Sequence, residues 1–354
     1  MNRIGAFIKW LLFLTVAIST AFMPISASRA QPMDDLRALI TSQNDPGLLA
    51  AYDAGFVRSS TLSQSIDNVT VTLKWMTADA VRINIGYTVS LPAEGMTATM
   101  MNTPADGTTL VDGSGNTYPP SFSFPTAVSP DQPTLYNQNF DTLSSTNIPE
   151  ALDLTLALKL QVTQAGDSTN SNGTAYGPFL FSFSMPYSGG YRLMDVGKVT
   201  QHNIAVDLQQ VVFAPSQSFI RYCIQLPNSF GIDYGWDVKF SFVHAGKAVE
   251  AVPRGGGCGG MGGDGPLPPT INQCNVGVFY IAPVDYSGQW TLSTNEIRGT
   301  KQGPLPADLQ ARQQKGESFD SLKPDLLKAG YLKSITGNWK FNFTLAKDPK
   351  RPAH

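Results

Sequence analysis

Strict alternation of apolar and polar residues, recurring once at a fixed offset, constrains this chain more than any other feature. In "SIDNVTVTLKWMTADAVRINIGYTVSLP" (65–92), Val69, Val71, Leu73 and Trp75 share one parity. After "TADA" the pattern resumes with Val81, Ile83, Ile85, Tyr87, Val89 and Leu91. Two period-two runs around a short polar break are the sequence form of an antiparallel hairpin. A shift of 135 positions lays this stretch, without gaps, over "IAVDLQQVVFAPSQSFIRYCIQLP" (204–227). Val69 then matches Ile204, Leu73 matches Leu208 and Tyr87 matches Tyr222, and both copies end in Leu-Pro, at Leu91-Pro92 and Leu226-Pro227. The terminal proline removes a ladder donor and stops the strand.

A second matched pair closes each copy. "GPFLFSFSMP" (177–186) and "GNWKFNFTLA" (337–346) share a frame that aligns Phe179, Phe181 and Phe183 with Trp339, Phe341 and Phe343. Three aromatics at period two place three rings on one strand face, which is a core face. Further alternating runs lie at 151–162, 236–243, 275–282 and 289–293. One sheet of that size would leave a face bare, so each copy is expected to fold as two packed sheets. The expected fold is all-β: two tandem antiparallel, Ig-like β-sandwich domains from an internal duplication, with minor peripheral helices. The expected boundaries are a helical lead-in at 31–60, a first sandwich at 61–190 and a second at 191–354. The second carries a Gly-rich loop at 253–269 and a helical insert at 304–333.

Residues 1–30 set the expected compartment. Arg3 and Lys9 precede an apolar run from Trp10 to Ile25, and Ser28 and Ala30 occupy the small-residue positions of a cleavage site before Gln31. This is the grammar of a secretory signal peptide, with an uncleaved N-terminal anchor as the alternative. Either places the remainder outside the cytoplasm, secreted or at a cell surface or in a periplasm-like space. Charged residues make up 15% of the chain and the net charge is -2, so no electrostatic footprint for nucleic acid is present. Membrane contact is expected only through the N-terminal segment.

The chemistry-bearing residues form no recognisable catalytic set, and no catalytic, cofactor or metal residues are assigned. Of three histidines, His202 lies in a polar lead-in where a turn is expected, and His244 at a strand end where solvent exposure is expected. Gly257, Gly259 and Gly262 match G-x-G-x-x-G, but "DGPLPP" follows and cannot open the helix a dinucleotide site needs. That run reads instead as a loop. Three cysteines fit one disulfide and one remaining thiol. Cys258 and Cys274 flank the Gly-rich run and are the pair expected to close it, while Cys223 points away from its own core face. Asp112, Ser114 and Asn116 alternate like the start of a calcium loop, yet no bidentate acid follows in register, so a turn between strands is expected.

The stretch 54–90 resembles domain-of-unknown-function family 4179, through Gln64-Ser65, the "VTVTL" strand, the turn at Ala78-Asp79 and "I-x-Y-x-V". "VDGSGNTY" and "GNWKFNFTL" resemble that family's Asp-x-x-Gly-Asn-x-Tyr turn and closing strand. The resemblance implies an extracytoplasmic β domain of anti-sigma-factor-like and related secreted bacterial proteins, with no assigned catalytic residues. About nine residues precede the apolar run, too few for the cytoplasmic helical domain of an anti-sigma factor, so direct sigma-factor control is not expected. The expected function is an exported, non-enzymatic binding or sensor-like module of a bacterial envelope, partnered by an extracellular or envelope macromolecule. Loops at 102–120 and 253–273 are the expected contact regions. The alternatives are carbohydrate binding or adhesion, with Trp236 and Trp290 as exposed stacking residues and Trp75 and Trp339 on core parity, and a glycan-directed hydrolase using a carboxylate pair.

Overall fold

The computed structural model describes residues 33–93, 95–101, 107–126, 134–143, 150–164, 173–231, 233–258, 270–281 and 285–346. The signal-peptide or anchor reading of residues 1–30 lies outside them, as do 102–106 and 259–269 of the two expected contact loops. Two helices lead, α1 (Met33–Ser42) and α2 (Pro46–Asp53). They are followed by β1 (Arg58–Ser59), β2 (Ser63–Ile66), β3 (Val69–Ala78), β4 (Arg82–Ser90), β5 (Met96–Met100) and β6 (Thr109–Asp112). Next come β7 (Thr117–Tyr118), β8 (Pro120–Thr126), β9 (Thr134–Asp141), β10 (Ala151–Gln164) and β11 (Thr174–Pro186). The second half begins with β12 (Tyr191–Gln201), β13 (Ile204–Phe213), β14 (Ser218–Pro227), β15 (Tyr234–Val238) and β16 (Ser241–His244). It continues with β17 (Lys247–Val249), β18 (Ala251–Cys258), β19 (Thr270–Ile281) and β20 (Gly288–Lys301), then α3 (Ala307–Gln314), α4 (Phe319–Lys328) and β21 (Leu332–Leu345).

Among the described residues every strand pairing is antiparallel, and the strands form four sheets. The first runs β1-β3-β4-β9-β8 with β2 also on β3, and the second runs β11-β10-β6-β7 with β5 also on β10. The third runs β12-β13-β14-β19-β18, and the fourth β15-β20-β16-β17 with β21 also on β20. The two halves therefore share one strand plan: β13, β14, β18 and β19 take the places of β3, β4, β8 and β9, and β20 that of β10. Local detail follows. The β3–β4 ladder slips between Leu73 and Trp75, and the β13–β14 ladder between Leu208 and Gln210, the same offset. Both hairpins are entered through a two-residue turn with positive φ at both positions, Asp67-Asn68 and His202-Asn203. That conformation suits the twist of flanking strands and favours Asn and Asp. His202 is an exposed turn residue.

Each half holds its own core between its two sheets. Val71, Leu73, Ile85 and Phe140 of the first sheet meet Leu156 and Phe179 of the second. In the other half Ile204, Leu208, Tyr222 and Ile224 meet Trp290, Trp339 and Phe341. Burying a side chain of this size stabilises by roughly 1.5–3 kcal/mol, so the aromatic stripes of β11 and β21 are major contributors. Trp236 and Trp290 are both 0% exposed, which corrects their reading as sugar-stacking surface residues. Trp236 lies across Gly299, and Trp290 stacks on Phe213 at 4.3 Å. Their parity matches the core face of β15 and β20, and that signal was present in the alternation.

Trp75 is buried, but outside the sandwich core. The bulge at Lys74 turns it to the outer face of the first sheet. There it packs with Leu135 under Leu36, Ile40 and Leu48 of α1 and α2. The Gly-rich run is also corrected. Gly255, Gly256 and Gly257 pair with Val278, Gly277 and Val276 on β19, because ladder bonds need only backbone, so 251–258 is strand rather than loop.

The helical insert has a small core of its own, Leu309, Leu322, Leu326 and Leu332. Glu296 on β20 fastens it, accepting from Lys323 Nζ of α4 at 2.9 Å, Arg298 Nη2 at 2.8 Å and Ser334 Oγ at 2.6 Å. The Ser334 and Arg298 hydrogen bonds hold the Glu296 carboxyl down at about 2. A depressed folded-state pKa gives stability that is complete above the unfolded value and is lost as pH falls toward 2. The denaturation midpoint of Glu296→Gln is accordingly expected to lie below wild type at pH 7 and to converge with it by pH 2. Solvent screening keeps the difference at pH 7 to about 1 kcal/mol or less.

Candidate functional site

The break "TADA" read as a polar interruption in a hairpin, but its Asp79 is 1% exposed. It sits at the tip joining β3 to β4, and the matching tip of the second half, between β13 and β14, packs against it. Ala80, Val81, Val212, Ala214 and Phe219 form the apolar part of this contact. Asp79 Oδ1 accepts from the backbone N–H groups of Val81 (3.0 Å) and Arg82 (3.1 Å), which shapes its own turn. Its Oδ2 accepts from Ser216 N of the other half at 2.8 Å. One carboxylate thus holds both tips.

Arg82 completes the junction. Its Nε donates to Ser216 Oγ at 3.0 Å, and Nη1 donates to Asp45 Oδ2 at 2.8 Å and to Asn139 Oδ1 at 3.2 Å. Asp45 is the N-cap of α2, its Oδ1 accepting from Leu48 N at 3.0 Å. One guanidinium therefore ties the helical lead-in, the first sandwich and the second. Burial alone would lower the Arg82 pKa, but the Asp45 carboxylate beside it and Asp79 outweigh that and raise it. The backbone is equally close: a Cβ on Gly47 would lie 1.6 Å from Ser216 O, so only glycine lets α2 reach this tip. Arg192 adds donors to Leu143 O (2.9 Å) and Ala80 O (3.2 Å). Burial pushes the neighbouring Asp141 carboxyl up, opposed by its bond from Leu143 N and by Arg221 and Arg192. In a chain this poor in charge, three arginines and three aspartates gather at one junction. Asp79, Arg82 and Asp45 direct their polar atoms to one another's elements and to Ser216, an arrangement that suits a lock between the two halves.

The disulfide joins Cys223 to Cys274, with S–S 2.00 Å, and this corrects the expected Cys258–Cys274 pair. Register explains it: Cys223 lies directly opposite Cys274 on β14 and β19, whereas Cys258 lies opposite Asn275. The bridge is on the outer face of the third sheet, as the parity of Cys223 implied. It closes a sequence separation of 51 residues. Cys223→Ser combined with Cys274→Ser is expected to cost about 2–4 kcal/mol, read as a lower denaturant midpoint. Disulfides of this kind belong to oxidising, extracytoplasmic compartments. Among the described residues no helix is long and apolar enough to cross a membrane.

The other residues singled out from sequence lie apart from the junction. His244 is half-buried, stacked on Trp290 at 4.4 Å with Nε2 2.7 Å from Ser287 O, so it is a packing residue and not a solvent-exposed strand end. Asp112 lies in the β6–β7 turn and accepts from Ser114 N and Asn116 N (both 2.9 Å), Asn116 Nδ2 (2.7 Å) and Tyr118 OH (2.9 Å). Desolvation would raise its pKa, but the bonds from Asn116, Tyr118 and Ser114 prevail and lower it. A carboxylate held ionised by four donors shapes a turn. Beside it, Val111, Gly113, Asp153, Thr155 and Ser182 line a shallow depression of about 300 Å³ on the outer face of the second sheet.

No family model and no curated protein matches the chain. Among solved structures it is similar to the conserved domain protein from Bacillus anthracis, at TM-score 0.52 and 11% identity, over 82% of this chain and 92% of that one. Against collagen adhesin (CNA) from S. aureus the identity is 9% over 80% of this chain and 95% of that one, at a TM-score of only 0.14. The likeness to the B. anthracis protein is one of fold alone, and it makes this chain a β-rich, sandwich-like protein.

Proposed function

We propose that the chain is an exported, non-enzymatic interaction or sensor-like module of a bacterial envelope, presenting two sandwiches as one rigid body to an extracytoplasmic macromolecule. The observation that carries this reading is the Cys223–Cys274 bridge, set between two strands already paired along ten residues, as a stable part of an oxidised protein. The export grammar of residues 1–30 and the resemblance of 54–90 to family 4179 support the same reading. The shared strand plan and the matching bulges support descent from one duplicated unit. The junction takes up much of the chain's buried charge, and the outer sheet faces carry hydroxyl and amide pairs instead. Examples are Ser63–Thr72, Ser65–Thr70, Thr97–Thr163 and Thr291–Asn342. Such faces recognise partners by hydrogen bonds more than by charge.

The test is expression of the full chain in a bacterium, followed by fractionation and alkylation of free thiols before denaturation. Recovery outside the cytoplasm, with Cys223 and Cys274 protected from alkylation, is expected. Retention in the cytoplasm with three alkylated cysteines would overturn the reading. A second reading, glycan binding, is favoured by the depression at Asp153, Thr155 and Ser182, whose carboxylate and hydroxyls match a polyol. Saturable binding of a neutral polysaccharide that is lost in Asp153→Ala supports it, and calorimetric silence across a polysaccharide panel removes it.

A further inference from the structure

The edge strand β11 is a liability of a specific kind. Between Pro178 and Pro186 it reads "FLFSFSM", seven residues with no charge, no proline and no glycine. That is the composition of segments that pair with copies of themselves when exposed on a sheet edge. Among the described residues β11 pairs with β10 alone, on one side. On its other side the Gln64 side chain, from β2, grips a single peptide: Leu180 N donates to Gln64 Oε1 at 2.7 Å, and Gln64 Nε2 donates to Leu180 O. Leu180 therefore directs both backbone groups outward, and by alternation Ser182 and Ser184 do the same. The Gln64 amide occupies the position of a peptide in a neighbouring strand. The side chains along this row are exposed, Leu180 at 52%.

The second half has the same device at a different position. Asn338 N of β21 donates to Gln201 Oε1 at 2.7 Å, and Gln201 Nε2 donates to Asn338 O at 2.7 Å. Under the 135-position offset Gln201 falls on Ile66 and not on Gln64, so the clamp is not simply a copied residue. β21 also carries Lys333 and Lys340, the ordinary protection of an edge, which β11 lacks.

We propose that the outward edge of β11, centred on Leu180–Ser184, is a latent self-pairing surface whose fitting partner is the same strand of a second copy, and that Gln64 is the side chain that keeps it closed. The exposed amide pair contributes little to stability. Its consequence is for association.

The test compares wild type, Gln64→Ala and Gln201→Ala by light scattering after size exclusion, over a hundredfold concentration range. Wild type and Gln201→Ala are expected to remain monomeric. Gln64→Ala is expected to form dimers or larger species, with slowed hydrogen exchange at Leu180, Ser182 and Ser184 in the associated form. Adding Ser182→Lys should return it to monomer. A Gln64→Ala protein that stays monomeric throughout overturns the proposal, as does association that Ser182→Lys leaves untouched. If Gln64→Ala fails to fold, Gln64→Asn, whose amide falls one methylene short of Leu180, takes its place with the same two outcomes.

Discussion

Arg82→Met is expected to lose about 3–5 kcal/mol of folding stability, the range for breaking a buried ion pair from one side. Methionine fills much of the space, so the loss reports charge and hydrogen bonds more than a cavity. Asp45 would keep a carboxylate facing a site with its cation removed, at a side-chain exposure of 19%. Ser216 Oγ and Asn139 Oδ1 would each lose a donor. The companion change Asp45→Asn should recover part of the loss when combined with Arg82→Met, because it removes the stranded charge while an amide oxygen can still cap α2. Denaturant titration of the four proteins measures the coupling. Additive losses would mean that the two side chains do not act as a pair.

The second large effect belongs to Trp75. Trp75→Ala is expected to cost about 3–5 kcal/mol, as large-to-small changes at fully buried aromatics do. The indole lies flat on Gly86, where an added Cβ would sit 2.0 Å from the ring, and its Nε1 donates to Asn84 Oδ1 at 2.8 Å. Gly86→Ala should therefore also destabilise, by overpacking, at about 1–3 kcal/mol. Because Trp75 seats α1 and α2, faster proteolysis within 33–53 in Trp75→Ala would show that the loss is in helix docking. A stable variant with unchanged helix protection would contradict the packing described.

Much of the fold was legible because period-two alternation survives intact in the strands that face a core. The hairpin at 65–92, its partner at 204–227 and the aromatic stripes of β11 and β21 are all read directly from parity. What escaped were places where the backbone breaks that parity. The bulge at Lys74 reverses the faces of everything after it in β3, so Trp75 was placed on the wrong side. The Gly-rich β18 has no side-chain pattern from which to infer a strand, and with its register unseen the sequence points to Cys258 as the partner of Cys274 in place of Cys223. The junction was hidden for a different reason. Asp79 lies in a turn and Arg82 opens the strand that follows, at a hairpin tip where acids and bases are ordinarily solvated, and Ser216 lies 137 residues from Asp79. One signal did exist: the hairpin tips at 79–82 and 214–217 match under the repeat, so whatever one tip does, the other is placed to answer.

The account rests on the two sandwiches folding and acting as one body through this junction. Differential scanning calorimetry of residues 31–354 tests that most directly. A single transition is predicted, with calorimetric and van't Hoff enthalpies equal, and it should split into two in Arg82→Met as the halves uncouple. Two transitions in the wild-type protein, with the same midpoints in Arg82→Met, would contradict it.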